Sequence, residues 1–230
     1  MGSTVSFQRP DGGSVNGYLA TPASGSGPGV VVIQEWWGLN DQIRGVADRF
    51  AAAGFTALVP DLYRGKSTLE AKEAEHLMSG LNFADAASQD IRGAVTYLKA
   101  RGGKAGVTGF CMGGALTILA ACFVPEADAA VAFYGFPPLA YVDASKIRSP
   151  LAGHFATEDP FFAIAKVDEL EAKLREAKVG FEFHRYHALH AFANETQTPG
   201  HQTLPALLYD ANAAQTAYDR TMRFFGTHLG

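Results

Sequence analysis

Lys104-Ala-Gly-Val-Thr-Gly-Phe-Cys-Met-Gly-Gly-Ala115 is the stretch that decides how this chain folds. A short β-type run, Ala105 to Thr108, leads into Gly109-Phe110-Cys111-Met112-Gly113. An Ala/Leu-rich helical segment, Gly114 to Cys122, follows at once. A strand, a glycine-flanked reactive side chain and a helix make the pattern of a nucleophile elbow, with cysteine where serine is more usual. The glycines follow from geometry: the nucleophile sits on a strained turn, and its neighbours must lack side chains for strand and helix to pass closely. The turn also aims the Met112 N–H at the place where an oxyanion would form. That place lies at a helix N-terminus, whose dipole favours a thiolate. A buried cysteine in a Gly-rich turn gives the same five residues, so the flanking sequence has to discriminate.

Outward from the elbow, strand-type and helix-type segments alternate. Upstream, Val5-Ser-Phe7 and Val15 to Ala20 flank Arg9-Pro-Asp-Gly-Gly13, a hairpin with a Gly-rich turn. Pro22 to Pro28 is a loop, and Gly29-Val-Val-Val-Ile33 is the continuous β-branched run of a strand buried on both faces. Asp41 to Ala53 has helical spacing and stops at Gly54, a natural C′ residue. Phe55 to Val59 is the next strand, and Arg64 to Asn82 is polar, poorly periodic and a candidate cap. Phe83 to Lys99 is a helix with Ile91, Val95 and Leu98 on one stripe. Downstream come strands Ala129 to Tyr134, Leu151 to Phe155 and Phe181 to Tyr186. A helix from Ile164 closes at Gly180, and a last one covers Tyr209 to Phe225. The alternation predicts an α/β fold: a mostly parallel central sheet with helices on both faces and a short N-terminal antiparallel hairpin.

With 47% hydrophobic and 18% charged residues, the 230-residue chain has the balance of an ordinary globular protein. A formal net charge of −4 supplies no basic stripe and argues against nucleic acid as a partner. Cys111 and Cys122 make no disulfide framework, and Cys122 reads as helix packing. No apolar run reaches the roughly 18 residues of a membrane span, and no secretory pattern opens the chain. A cytoplasmic protein without a membrane partner is expected. Met1-Gly2 with Ser6 fits an acylation pattern formally, and reads as an accidental match.

In open α/β sheets the ligand lies beyond the carboxyl ends of the strands. Those ends carry Glu35, Asp61, Cys111, Tyr134, Asp159 and the segment with His187 and His190. A cysteine nucleophile needs a base for its proton and an acid to orient that base, in the chain order nucleophile, acid, histidine. Cys111, Asp159 and either His187 or His190 satisfy that order. Asp159 between strand and helix reads equally as an N-cap. His154 and His184 lie within strands and read as packed or surface residues.

Taken together, these pieces resemble the dienelactone hydrolase family over nearly the whole chain. The residues that carry the resemblance are Gln34-Glu-Trp-Trp-Gly-Leu-Asn40, Val59-Pro-Asp-Leu-Tyr63, Gly109-Phe-Cys-Met-Gly-Gly114, Phe133-Tyr-Gly135, Thr157-Glu-Asp159 and His190-Ala-Phe-Ala193. The resemblance implies an α/β-hydrolase fold, one domain over residues 1–230 with 64–82 as a small cap. It implies a Cys-His-Asp triad on Cys111, His190 and Asp159; the family's His-x-Phe pattern, met at His190-Ala-Phe192, selects His190 over His187. Glu35 is implied to control thiolate formation, and the Trp36 and Met112 amides to form the oxyanion hole. The implied reaction is hydrolysis of a small-molecule carboxylic ester or lactone through a thioester, by a monomer or homodimer without metal or organic cofactor.

The departures bear on substrate. Family members acting on an anionic lactone hold its carboxylate with arginines, one in the cap and one just after the histidine. Here Asn194 stands at the second position, and residues 64–82 offer only Arg64, Lys66 and Lys72. Asparagine cannot replace an arginine fork on a carboxylate. Trp37, Tyr134, Phe192, Asn194 and Arg64 are the expected pocket residues, and a neutral ester or lactone is the expected substrate. Two alternatives are an activated phosphoester or phosphotriester attacked by the same cysteine, and a ligand-binding member that performs no catalysis.

Overall fold

A computed structural model describes residues 2–101 and 103–230; Met1 of the acylation match lies outside them. Eight strands form one sheet: β1 (Ser3–Gln8), β2 (Ser14–Ala20), β3 (Gly29–Ile33), β4 (Thr56–Pro60), β5 (Ala105–Phe110), β6 (Ala129–Phe133), β7 (Leu151–Ala156) and β8 (Phe181–Tyr186). Their spatial order is β1-β2-β4-β3-β5-β6-β7-β8. β1 pairs antiparallel with β2, and β2 antiparallel with β4; from β4 to β8 every pairing is parallel. Every residue of β3, β4, β5, β6 and β7 is buried, which is why these strands read as unbroken apolar runs.

Helices cover both faces. On one lie α1 (Asp41–Ala52) and α7 (Ala211–Leu229), packed through Phe50, Ala217 and Phe225 against Val30 and Val32 of β3. On the other lie α3 (Phe83–Asp85), α4 (Arg92–Lys99), α5 (Met112–Phe123) and α6 (Ile164–Glu176), gripping Val31, Ile33, Val107 and Leu151. Because β3 neighbours both β4 and β5, the chain reverses direction across the sheet there. The carboxyl ends of β3 and β5 therefore flank the crevice where ligands of such sheets bind.

Two expectations gain detail and a third is corrected. Residues 64–82 contain a regular helix, α2 (Ala71–Ser79), whose one fully buried residue, Ala74, leaves almost no periodic signal. Phe83 to Lys99 is helical throughout, but Ala86–Ile91 is a π-helical segment between α3 and α4. Gly180 does not close the helix after Ile164; Lys178 takes the left-handed conformation (φ 59°), and Val179 N–H bonds back to the Leu174 carbonyl. α1, by contrast, reaches a left-handed Gly54 (φ 96°).

Candidate active site

Cys111 sits between the end of β5 and the start of α5 with φ 55° and ψ −116°, a left-handed backbone that a side-chain-bearing residue adopts only under constraint. The constraint comes from close packing. A Cβ at Gly113 would lie 2.5 Å from the Ile33 carbonyl oxygen, and one at Gly135 1.9 Å from that of Cys111. The Cys111 N–H donates to the Phe133 carbonyl at 3.1 Å, and its own carbonyl accepts from Ala115 N–H at 3.1 Å. The elbow is thus bolted to β6 on one side and to α5 on the other. Met112 is the first residue of α5, so its N–H has no intrahelical acceptor and points out of the helix start.

Asp159 and His190 meet although neither lies in a strand or helix. His190 Nδ1 is 2.6 Å from Asp159 Oδ2, with both side chains almost wholly shielded from solvent. The other oxygen of Asp159, Oδ1, accepts from the backbone N–H groups of Phe161 (2.8 Å) and Phe162 (3.0 Å). One oxygen thus closes a turn and the other holds His190; the N-cap reading is corrected, because α6 begins at Ile164 with Ala163 at its N-cap. His187 points away; its side chain is 90% exposed and its nearest acidic neighbour is Glu158. Phe162 stacks on the His190 ring and Phe161 meets it edge-on. Burial alone would discourage the imidazolium, but it is outweighed by the charge of Cys111, the Asp159 hydrogen bond, a hydrogen bond with Cys111 and the Asp159 charge. The His190 pKa is pushed up to about 10.

Glu35 follows β3 and is fully enclosed. Its Oε1 accepts from the Tyr134 hydroxyl at 3.1 Å and its Oε2 from Asn194 Nδ2 at 2.8 Å. Burial pushes the carboxyl above its usual range, opposed by the positive charge of His190 and by hydrogen bonds from Asn194, Tyr134 and Trp37. Burial and the neighbouring Glu35 charge hold the Tyr134 phenol far above its ordinary pKa, so it remains a donor. Asn194 Oδ1 is itself occupied, accepting from Thr196 N–H (3.0 Å) and Thr196 Oγ1 (2.7 Å). The Glu35 carboxylate is held by side chains and not by a backbone turn.

A cavity of about 970 Å³ opens over Cys111, His190 and Glu35. Of the five expected pocket residues, Trp37 lines it and the other four do not. Tyr134 and Asn194 stand behind Glu35 as its hydrogen-bond donors, and Phe192 packs edge-on against Tyr134 in the core. Arg64 is turned to the far side, where its guanidinium grips both oxygens of the buried Asp90 at 2.9 Å. Met78, Leu81 and Phe83 from α2 and the segment after it, and Phe136, Pro138 and Tyr141 from the β6–β7 connection, supply the walls that sequence reading missed. Only their apolar character, in segments without regular spacing, could have signalled them. Among the described residues no cluster of three or more His, Cys, Asp or Glu side chains is arranged to hold a metal. Among the described residues no helix is long and apolar enough to cross a membrane.

The parallel sheet, its strand order and the strained elbow after β5 define an α/β-hydrolase. Residues 15–229 match the model of the dienelactone hydrolase family, and the chain belongs to that family. Protein usf of Aquifex pyrophilus is 37% identical over 240 aligned residues, which take in 100% of each chain. An Aquifex aeolicus protein provisionally assigned as a carboxymethylenebutenolidase is 32% identical, again over 100% of each. Among solved structures, a dienelactone hydrolase-like promiscuous phosphotriesterase from metagenomic libraries superposes with a TM-score of 0.86. It is 27% identical, with 100% of this chain and 99% of that one covered.

Proposed function

We propose that the protein hydrolyses carboxylic esters or lactones through a Cys111-His190-Asp159 triad, with a thioester as intermediate. The observation that carries this reading is the buried His190–Asp159 contact of 2.6 Å beside a cysteine on a strained strand-to-helix turn. His190 is the acceptor for the thiol proton, and its pKa, pushed up to about 10, favours the proton on the imidazole as the sulfur attacks. The Cys111 sulfur attacks the carbonyl carbon, and the oxygen, now negative, takes the N–H groups of Trp36 and Met112. As the tetrahedral species collapses, His190 gives its proton to the departing alkoxide. A water then attacks the thioester while His190 Nε2 takes one of its protons; the acid leaves and the thiolate is restored. Asp159 holds the Nδ1–H tautomer throughout. The Glu35 negative charge favours the imidazolium form of His190, which is how it acts on the thiol. Residues 64–82 serve as a cap over the cavity.

Cys111→Ala tests the reading: turnover of a small neutral ester falls by at least a thousandfold with the melting curve preserved. Residual activity within about tenfold of wild type overturns it. One observation favours a second electrophile, the structural likeness to a protein named as a promiscuous phosphotriesterase. Incubation with an activated phosphotriester and intact-mass analysis distinguishes the two: a phosphoryl adduct on Cys111 supports the additional activity, and an unmodified cysteine removes it.

A further inference from the structure

The cavity is longer than a small lactone requires, and its floor is a single helical stripe. Met112, Ala115, Leu119 and Phe123 of α5 all line it, and steps of three and four residues place them on one face of the helix. From Met112 to Phe123 the helix rises about 16 Å at 1.5 Å per residue. The groove therefore starts at the elbow and runs the whole length of α5. Leu81, Phe83 and Ala87 form one wall; Phe136, Pro138 and Tyr141 form the other. Neither wall nor floor contains a lysine or arginine. The charged carboxylates on the lining are Glu35, already engaged by Tyr134 and Asn194, and Asp143, which pairs with Lys146 at 3.2 Å. Of the four exposed large hydrophobic side chains among the described residues, three, Phe123, Tyr141 and Phe161, lie on this same lining, so the apolar surface continues to the rim.

We infer that this groove takes the acyl chain of a neutral, medium- to long-chain aliphatic ester, an inference that rests on the cysteine hydrolase reading above. The assignment of the acyl side follows from the chemistry of the elbow. The leaving alcohol must stand where His190 can protonate it, beside Phe161 and Phe162. The acyl portion then lies on the opposite side of Cys111, along α5. An extended chain advances about 1.2 Å per bond, the spacing of a fully extended three-bond backbone residue. The stripe thus accommodates an acyl chain of about twelve carbons. Apart from His190 at the elbow and Lys146 at the far rim, itself paired with Asp143, a carboxylate on that chain would meet no cation and would face Glu35 and Asp143, so anionic substrates are disfavoured.

The test is a series of esters with one leaving group and acyl chains from acetate to tetradecanoate, each below its micelle concentration, assayed on wild type and Cys111→Ala. A buried methylene is worth about fourfold, and half of that in a groove open on one side. kcat/KM should rise about two- to fourfold per methylene and level off near twelve carbons. Leu119→Trp blocks the stripe about 10 Å from Met112 and should move the plateau to about eight carbons. Phe123→Glu, at an exposed position, should lower the dodecanoate-to-octanoate ratio severalfold, and it carries the test if Leu119→Trp fails to fold. Cys111-dependent turnover that is flat or falling beyond butanoate overturns the groove assignment, leaving the rim to a partner protein, while the hydrolase reading stands. A ratio unmoved by either variant overturns it equally. Absence of Cys111-dependent turnover across the whole series overturns the hydrolase reading itself.

Discussion

Asp159→Asn isolates the contribution of a single oxygen atom. In wild type, Oδ1 of Asp159 serves the Phe161 and Phe162 N–H groups while Oδ2 serves His190. Asparagine can keep its carbonyl on the two backbone donors, so the loop that carries it retains its conformation. Its NH₂ then faces His190 Nδ1, and two donors cannot pair. The imidazole must turn over to the Nε2–H tautomer, which has no lone pair for the Cys111 proton. A hydrogen bond to a charged group contributes roughly 1.5–3 kcal/mol, and 1.36 kcal/mol equals one pKa unit. The His190 pKa should therefore fall from about 10 to about 8–9. The assay is the pH dependence of kcat/KM on an alkyl ester, whose poor leaving group needs the imidazolium proton. Wild type loses activity as pH rises through about 10; the variant should lose it about one to two units lower, with kcat/KM at pH 7 down by roughly 10²–10³. Stability moves the same way. A histidine whose folded pKa is raised stabilises the fold fully below its unfolded value of about 6.5, and that contribution fades as pH climbs through the folded value. The variant should accordingly be less stable than wild type at pH 6, with the gap closing towards pH 10. A high-pH limb that stays in place would refute the role given to the Asp159–His190 contact.

Other perturbations test other parts of the site. Glu35→Gln can turn its oxygen to Asn194 and its NH₂ to the Tyr134 oxygen, keeping both contacts while removing a buried charge. Because the Glu35 carboxyl is raised in the folded state, wild type loses stability as pH rises above the unfolded value. The variant should gain on it from about pH 4.5 upward and match it below, as read by urea unfolding across pH; equal stability at pH 7 would contradict the reading. Gly135→Ala places a methyl 1.9 Å from the Cys111 carbonyl oxygen, so the elbow must move. A loss of about 3 kcal/mol is expected, together with most activity, and a wild-type melting temperature would contradict it. Arg64→Met removes one of the two arginines that hold buried Asp90, leaving Arg9 at 3.3 Å, and should destabilise by about 1.5–3 kcal/mol, while leaving kcat/KM on neutral and carboxylate-bearing esters within about twofold, since Arg64 does not line the cavity.

What could be read in the sequence was what local chemistry encodes. Gly29–Ile33 announced a doubly covered strand because every residue of it is buried, and the glycines around Cys111 announced the elbow because backbone atoms press against them. Asp159 and His190 were legible as strand-end residues whose order suits a nucleophile at Cys111. The partners of Glu35 were not. Tyr134 and Asn194 reach it from 99 and 159 residues away in the chain, and a donor to a buried carboxylate leaves no local periodicity. Reading Asn194 as a lost arginine thus missed that its two amide ends are fully engaged, one on Glu35 and one on Thr196. Phe192, two residues after His190, is turned into the core against Tyr134 and Tyr186. The groove walls escaped for a related reason: residues 136–141 belong to a β6–β7 connection that holds only short 3₁₀ turns, so apolar side chains there carry no pattern. Helix α2 hides only Ala74 completely, and a sequence pattern needs more buried positions than one.

The central claim is that Cys111 carries the acyl group, and the most direct measurement is to trap it there. Wild type mixed with excess neutral ester and quenched in acid within milliseconds should gain the mass of one acyl group on the peptide containing Cys111. The adduct should be released by hydroxylamine as a thioester is, and it should be absent in Cys111→Ala. An acyl group found on another residue, or rapid steady-state turnover with Cys111 unmodified throughout, would contradict the account.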